Sequence, residues 1–264
     1  MIIDFHSHAF PNPLANRAIT SILERSKSYY PAHTDGTIDG LKQNMANFGV
    51  DLSVLQPVIT KPTQHKTLND WAKSVQDENI VSFGGVHPDS DDYKRDIDYV
   101  CELGLKGLKF HAEYQLFQVD ELRMLKIYDY AFSKGLIVLH HAGFDPAFKA
   151  PYRSTPKQFA SVAKQMQGGT LVVGHLGGLQ QWNEVEEHLV GANVYLETSM
   201  GFSQYPTDQF LRILKNHGAE KLLFGSDTPW GNLGEELKIF QSLPISDSEK
   251  ELILHKNAER ILCL

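Results

Sequence analysis

The sequence predicts one α/β domain over residues 1–264, folded as a (β/α)8 TIM barrel. Three observations predict it. Eight short apolar runs recur along the chain, and after a longer first gap their centres lie about 23 to 34 residues apart, close to the roughly 30 that one strand–helix–strand unit occupies. The runs are apolar throughout rather than alternating, as parallel strands covered on both faces must be. The length of 264 residues matches the roughly 250 that such a barrel needs.

The first run, Ile2-Ile3-Asp4-Phe5-His6-Ser7-His8, gives strand one. Residues 9–36 then make a long excursion with Pro11, Pro13 and Pro31, a helix-like piece from Leu14 to Ser26 and the pair Tyr29-Tyr30. An excursion of that length inside a compact fold reads as a lid over the barrel mouth. Ile38, Leu41, Met45 and Phe48 recur at helical spacing, and Gly49 ends that helix. Strand two covers 52–57. The same theme then repeats as helix 64–78, strand 80–87, helix 92–102, strand 106–111, helix 120–133 and strand 136–141. It continues as helix 154–166, strand 170–175, helix 180–190, strand 193–198, helix 206–216 and strand 221–227, with helices from 234 to 262 closing the chain. No linker or low-complexity segment divides it.

Composition removes several classes of function. No apolar run approaches the roughly 20 residues of a membrane helix. Lys and Arg total 25 against 32 Asp and Glu, a net charge of −7, and the basic residues form no stripe for nucleic acid. The start has neither the basic flank nor the apolar stretch of a secretory signal, so the cytoplasm is the expected compartment. Cys101 and Cys263 are the only cysteines, which leaves no disulfide framework and no thiolate metal site. Any metal must be held by nitrogen and oxygen.

Side chains alternate along a strand, so His6 and His8 face the same way with imidazoles close enough to share a cation. Such a pair alone is often a chance of a surface strand. Here other strand ends carry matching groups: His87, His111, His141 beside His140, His175 and Asp227. In a barrel these ends converge on one mouth, where the active site is expected.

The opening Asp4-x-His6-x-His8, the strand-five and strand-six histidines and Gly225-Ser226-Asp227 resemble the metal-dependent amidohydrolase superfamily. Gly107-Leu108-Lys109-Phe110-His111, Gly174-His175-Leu176-Gly177-Gly178, Phe224-Gly225-Ser226-Asp227-Thr228-Pro229 and Asn257-Ala258-Glu259-Arg260-Ile261-Leu262 are similar to its amidohydrolase-related branch. That branch contains amino-carboxymuconate-semialdehyde decarboxylase, resorcylate decarboxylases and dicarboxylate lactonases. The likeness covers nearly the whole chain; it is specific for the superfamily and unspecific for the substrate.

The resemblance implies one divalent ion, zinc by default and manganese as the alternative, held by His6, His8, the strand-five histidine and Asp227, with His175 nearby. Either His140 or His141 can serve on strand five. The family places its ligand six residues after the glycine opening that strand, which selects His141 and turns His140 toward the helices. Such an ion lowers the pKa of bound water toward about 7; Asp227 then takes the water's proton, and His175 polarises the scissile carbonyl. Lys109, two residues before His111, faces into the barrel and needs a partner. An ion pair, with Asp4 as one candidate, is preferred over carbamylation that would bridge a second ion.

His111, Tyr114, Arg153 and Trp230 are expected to contact substrate, with Arg153 gripping a carboxylate bidentately. Glu113, Gln115, Phe202 and Tyr205 leave the same strand ends, and Glu197 would support a ligand histidine from behind. The expected function is a hydrolase acting on an amide, lactone or related bond of a small carboxylated molecule. A non-oxidative decarboxylase using the same ligands is the first alternative, and a barrel that binds without turnover is the second. The resemblance implies a homo-oligomer, a dimer or a higher state.

Overall fold

A computed structural model describes residues 1–264. Eight strands occur in chain order: β1 (Ile3–Ser7), β2 (Leu52–Leu55), β3 (Ile80–Ser82), β4 (Gly107–Phe110), β5 (Ile137–His140), β6 (Leu171–Val173), β7 (Tyr195–Glu197) and β8 (Leu222–Leu223). Each pairs in parallel with its sequence neighbours, in one ladder of β1–β2–β3 and another of β4 through β8. Single bridges, Gly84 to Leu108 and Ser7 to Thr228, cross the two seams. So do main-chain bonds from Gly84 N to Gly107 O and from Phe5 N to Phe224 O, both 2.8 Å. The α/β barrel expected from the sequence is present, with its ladder interrupted at two places.

Twelve helices fill the connections: α1 (Asn12–Arg25), α2 (Ile38–Phe48), α3 (His65–Ser74), α4 (Tyr93–Glu102), α5 (Ala112–Gln115), α6 (Leu122–Ser133), α7 (Pro156–Gln165), α8 (Trp182–Glu184), α9 (Thr207–His217), α10 (Leu233–Ser242), α11 (Asp247–Glu251) and α12 (Asn257–Leu262). Their ends follow local chemistry. Thr37 caps α2 by accepting from Gly40 N, and Gly49 closes it at φ 71, a left-handed turn that glycine adopts without penalty. Thr155 and Gln158 form a reciprocal box at the start of α7.

The strands are shorter than expected, most of all β8, which was expected over 221–227. Beyond Leu223 the chain keeps its bonds to β1 but leaves the regular ladder, and Asp227 takes φ 63. The expected helix 180–190 divides into α8 and a π-helical turn at Val185–Leu189. The helical stretch 234–262 breaks after Ser242, where Pro244 cannot continue a helix. The short α5 after β4 went unforeseen.

Alternation along the strands sorts the core into two layers. Inside, Phe5, Val54, Phe83, Leu139, Val172 and Leu223 fill the barrel, with Ala258 and Leu262 of α12 packed against them. Outside, Leu108, Phe110, Val138, Val173, Leu196 and Phe224 pack in the larger core with residues of the surrounding helices. The inward positions above the plug are the polar ones: Lys109, His141, Glu197 and Asp227. On β1 the register against β2 shifts between Asp4 and Ser7. An irregularity of that kind re-aims side chains, and here it lets both Phe5 and His6 face inward.

His140, next to His141, lies on the outer face. It stacks on Phe110 (ring centroids 5.2 Å, 17°) and meets Tyr128 of α6 and Phe159 of α7. Neither ring nitrogen has a partner, and burial holds its pKa well below that of a free imidazole. Because the folded pKa is the lower one, this neutral His favours folding fully only above about pH 6.5, and that contribution is lost progressively as pH falls from there toward the depressed folded pKa. His140→Leu, of similar volume, removes two buried unpaired atoms. It is expected to raise unfolding stability at neutral pH by about 1–3 kcal/mol and to move the acid midpoint downward, both measurable by denaturation across pH.

Candidate metal centre

His6 and His8 meet at the mouth of the barrel, their Nε2 atoms 3.1 Å apart. Each ring is held from behind. His6 Nδ1 donates to Glu197 Oε1 at 2.8 Å, and His8 Nδ1 donates to the Gln56 carbonyl at 2.8 Å. Those bonds fix the protons on Nδ1, so two bare Nε2 lone pairs face each other. Asp227 adds a carboxylate oxygen 3.1 Å from His8 Nε2 and 3.5 Å from His6 Nε2. Lone pairs and an anion that converge repel one another, and Lys109 Nζ, 2.8 Å from His6 Nε2, is the one cationic side chain against them. The donor set therefore fits a cation, and His6, His8 and Asp227 bring their ligand atoms within 4.8 Å of one another.

Glu197 is the anchor beneath this cluster. Besides His6 it accepts from His175 N (2.7 Å), Ser199 Oγ (2.7 Å) and Ser199 N (3.0 Å). Burial alone would raise its pKa, but the histidines and the donated bonds outweigh burial and bring it down to about 2. His6 is held neutral, its pKa lowered to about 4 by burial and then by Lys109. Asp227, although buried, is held well below the usual carboxylate range by His6, His8 and His175. Gly225 makes room for the arrangement, since a Cβ there would collide with Glu197 Oε2.

Lys109 is buried with Nζ 2.8 Å from His6 Nε2. Burial lowers its pKa to about 8, against the pull of Asp227 and Glu197. The pairing with Asp4 considered from sequence is not formed. Asp4 lies on the opposite face of β1, where it accepts from Ser226 N at 2.9 Å and Ser226 Oγ at 2.6 Å.

His141 and His175 form a second pair. His175 Nδ1 lies 3.2 Å from the Ser199 carbonyl, to which it donates, so its bare Nε2 faces His141 Nδ1 at 2.9 Å. His141 thus stands against His175, outside the tight group of His6, His8 and Asp227. His175 is buried and is not among the residues that line the cavity.

A cavity of about 220 Å³ opens above these groups, with His8, Lys109, His111, His141 and Asp227 on its polar side. Phe10, Tyr30, Trp71, Tyr114, Phe144 and Trp230 supply aromatic walls. Tyr114 and Trp230 were foreseen as lining residues. Arg153 was expected to grip a carboxylate there but lies off the cavity: its Nε is 3.5 Å from Glu113 Oε2, and its backbone N donates to Glu113 Oε1 at 2.6 Å. The reason is local, because Glu113 on α5 is buried and satisfied by Arg153. Glu113, Gln115, Phe202 and Tyr205 also lie off the wall. Asp145 was missed, although it follows His141 by four residues at the same strand end; its Oδ2 lies 3.1 Å from His111 Nε2.

Residues 9–36 cross this opening. Phe10, Pro11, Ile22, Ser26 and Tyr30 all line the cavity. The segment is tied to the barrel through Tyr30 OH to Gln204 Oε1 (3.0 Å) and His33 N to Pro229 O (2.7 Å).

An amidohydrolase family model matches residues 3–264. No curated protein matches the sequence. Solved structures with the same fold include 5-carboxyvanillate decarboxylase from Sphingomonas paucimobilis, at TM-score 0.74 and 15% identity over 100% of this chain and 99% of that one. A probable 2-pyrone-4,6-dicarboxylic acid hydrolase from Acinetobacter baumannii, with citric acid bound, superposes at 0.68 and 17% identity over 100% and 99%. A dihydroxybenzoic acid decarboxylase from Polaromonas, with bound manganese and the inhibitor 2-nitroresorcinol, does so at 0.69 and 16% over 100% and 97%.

Proposed function

The chain belongs to the amidohydrolase family, and from that footing we propose that it is a metal-dependent hydrolase of a small, ring-containing, carboxylated substrate. The observation that carries this reading is the convergence of the unprotonated Nε2 atoms of His6 and His8 with Asp227 at the cavity. A divalent ion bound there, zinc or manganese, supplies a Lewis acid that brings the pKa of water toward about 7. The chain's own groups do the rest. Asp227, held ionised, accepts the proton of the attacking water and passes it to the leaving group. Glu197 keeps His6 in the tautomer and orientation that present Nε2. Lys109, which alone among the cavity-lining residues is a lysine or arginine, draws in the substrate's anionic group. Residues 9–36 act as a cover that limits water in the cavity. His141 and His175 stand ready as additional nitrogen donors, the His175 ring centroid 5.3 Å from that of His6.

A second reading, non-oxidative decarboxylation, is favoured by the wall opposite the polar groups. An apolar cavity of about 150 Å³ takes up benzene, so about 220 Å³ suits one ring with small substituents. Aromatic walls without arginine also suit a ring acid that leaves as a neutral product. Two of the decarboxylases with this fold act, by name, on aromatic acids.

The two readings separate in one experiment. Protein loaded with zinc or manganese is incubated with lactones, amides and single-ring acids, and new carboxylate and evolved carbon dioxide are both measured. Hydrolysis yields a new carboxylate without carbon dioxide, and decarboxylation the reverse. Absence of both, in protein that also retains no metal, would sink both readings.

A further inference from the structure

His175 differs from the other histidines of this site in where its ring points. The residue is 1% exposed and does not line the cavity, and its backbone sits at φ 56, a left-handed conformation uncommon outside glycine. Both of its backbone groups are tied: N donates to Glu197 Oε1 at 2.7 Å, and O accepts from Trp182 Nε1 at 3.1 Å. Strain of that kind persists only where the surroundings over-determine it. Here it sets the ring between Ser199 and His141, with Nδ1 toward the one and Nε2 toward the other.

Two oxygens of Ser199 face His175 Nδ1, the carbonyl at 3.2 Å and Oγ at 2.9 Å. A hydroxyl has one proton, and Ser199 gives it to Glu197 Oε1 at 2.7 Å, so toward His175 both oxygens accept. The His175 proton is therefore on Nδ1, and Nε2 is left as a lone pair. That lone pair meets His141 Nδ1 at 2.9 Å, so the proton between the two rings belongs to His141. His141 is then bare at Nε2, a buried nitrogen without any partner in the protein, on a residue that lines the cavity. Buried polar atoms of this kind are the exception, and each calls for a partner. An ion at the cavity would supply it. The same order of protons starts from the carboxylate that fixes His6, so one anion aligns nitrogens on two separate strands, β1 and β5.

We infer that His175 is a positioning residue: held by Ser199, it keeps the His141 proton on Nδ1 and thereby frees His141 Nε2 as a further ligand atom, without itself touching substrate. The use of that nitrogen rests on the proposed metal centre; the placement of the protons does not.

The protons are read directly by two-bond proton–nitrogen NMR correlation in metal-free protein with nitrogen-labelled histidine, the His141 signals being assigned by their loss in His141→Asn. Wild type is expected to show His141 protonated at Nδ1 and bare at Nε2. His175→Phe offers no acceptor, and there the His141 proton is expected to move at least in part to Nε2. His175→Gln carries an N–H for Ser199 and an oxygen for His141, and it should restore the wild-type pattern. Zinc affinity, measured against a chelator, should fall by about 10–100-fold in His175→Phe, the usual effect of losing a group that orients a ligand histidine. His175→Gln should recover most of that loss. A wild-type His141 protonated at Nε2 would overturn the role, and that spectrum needs neither His175 variant to fold. So would a Phe variant with unchanged tautomer and zinc affinity. A Gln variant that keeps zinc but loses turnover would also overturn it, by marking His175 as a reacting group. Failure of the wild type itself to hold zinc would count against the metal centre, while the tautomer of His141 still judges His175.

Discussion

Replacing Asp227 with asparagine is expected to lower turnover of whichever substrate the protein cleaves by about 10²–10⁴-fold, the range that a positioned general base contributes. The variant keeps the volume and the backbone that hold the site. Asp227 N donates to the His6 carbonyl at 2.7 Å, and Thr228 O accepts from His8 N at 2.6 Å, so β8 and β1 stay stitched together. What changes is charge. The carboxylate lies 3.1 Å from His8 Nε2 and is the only anion among the three donors nearest the proposed ion. Its left-handed φ of 63 is a conformation that asparagine also tolerates, so loss of folding is not the expected cause. Metal content, measured by atomic absorption, is expected to fall along with turnover. A variant with full metal and turnover within about 10-fold of wild type would remove Asp227 from the base's role.

Much of this site is legible in sequence because barrel geometry makes strand ends meaningful. His6, His8, His111, His141 and Asp227 reach one mouth since each lies at or just past the C-terminal end of its strand. Direction and partner choice are less legible. Arg153 sits on a loop leaving the correct end, yet whether a loop arginine turns to the cavity or to a neighbouring carboxylate depends on Glu113, placed by a four-residue helix with no strong pattern of its own. Lys109 facing His6 rather than Asp4 depends on the irregularity in β1, which no alternation rule reveals. Asp145 was readable in principle: a carboxylate four residues past an inward histidine, in a loop with Gly143 at φ 83, belongs to the same mouth. Its approach to His111 spans two strands and is not readable from either.

The second large effect is expected at Glu197, which never reaches the cavity. It receives four donated bonds, two from side chains and two from backbone N–H groups. Glu197→Gln replaces one accepting oxygen with an NH₂ that must face a donor, so at least one of those bonds becomes a clash of protons. Either His6 loses the bond that keeps its proton on Nδ1, or the turn at His175 and Ser199 loosens. Partners that orient a ligand histidine in this way typically contribute about 10–100-fold in metal affinity, and a loss of that size is expected in competition with a chelator. Stability should respond with a definite sign. The folded pKa of Glu197 is about 2, below the 4.5 of a free glutamate. The contribution is therefore complete above pH 4.5 and is lost as pH falls toward 2. In the Gln variant that part of the acid-unfolding slope should be missing, while stability at neutral pH drops. If metal affinity and the acid slope both match wild type, Glu197 does not orient His6, and the proton position that leaves two bare nitrogens facing each other loses its support.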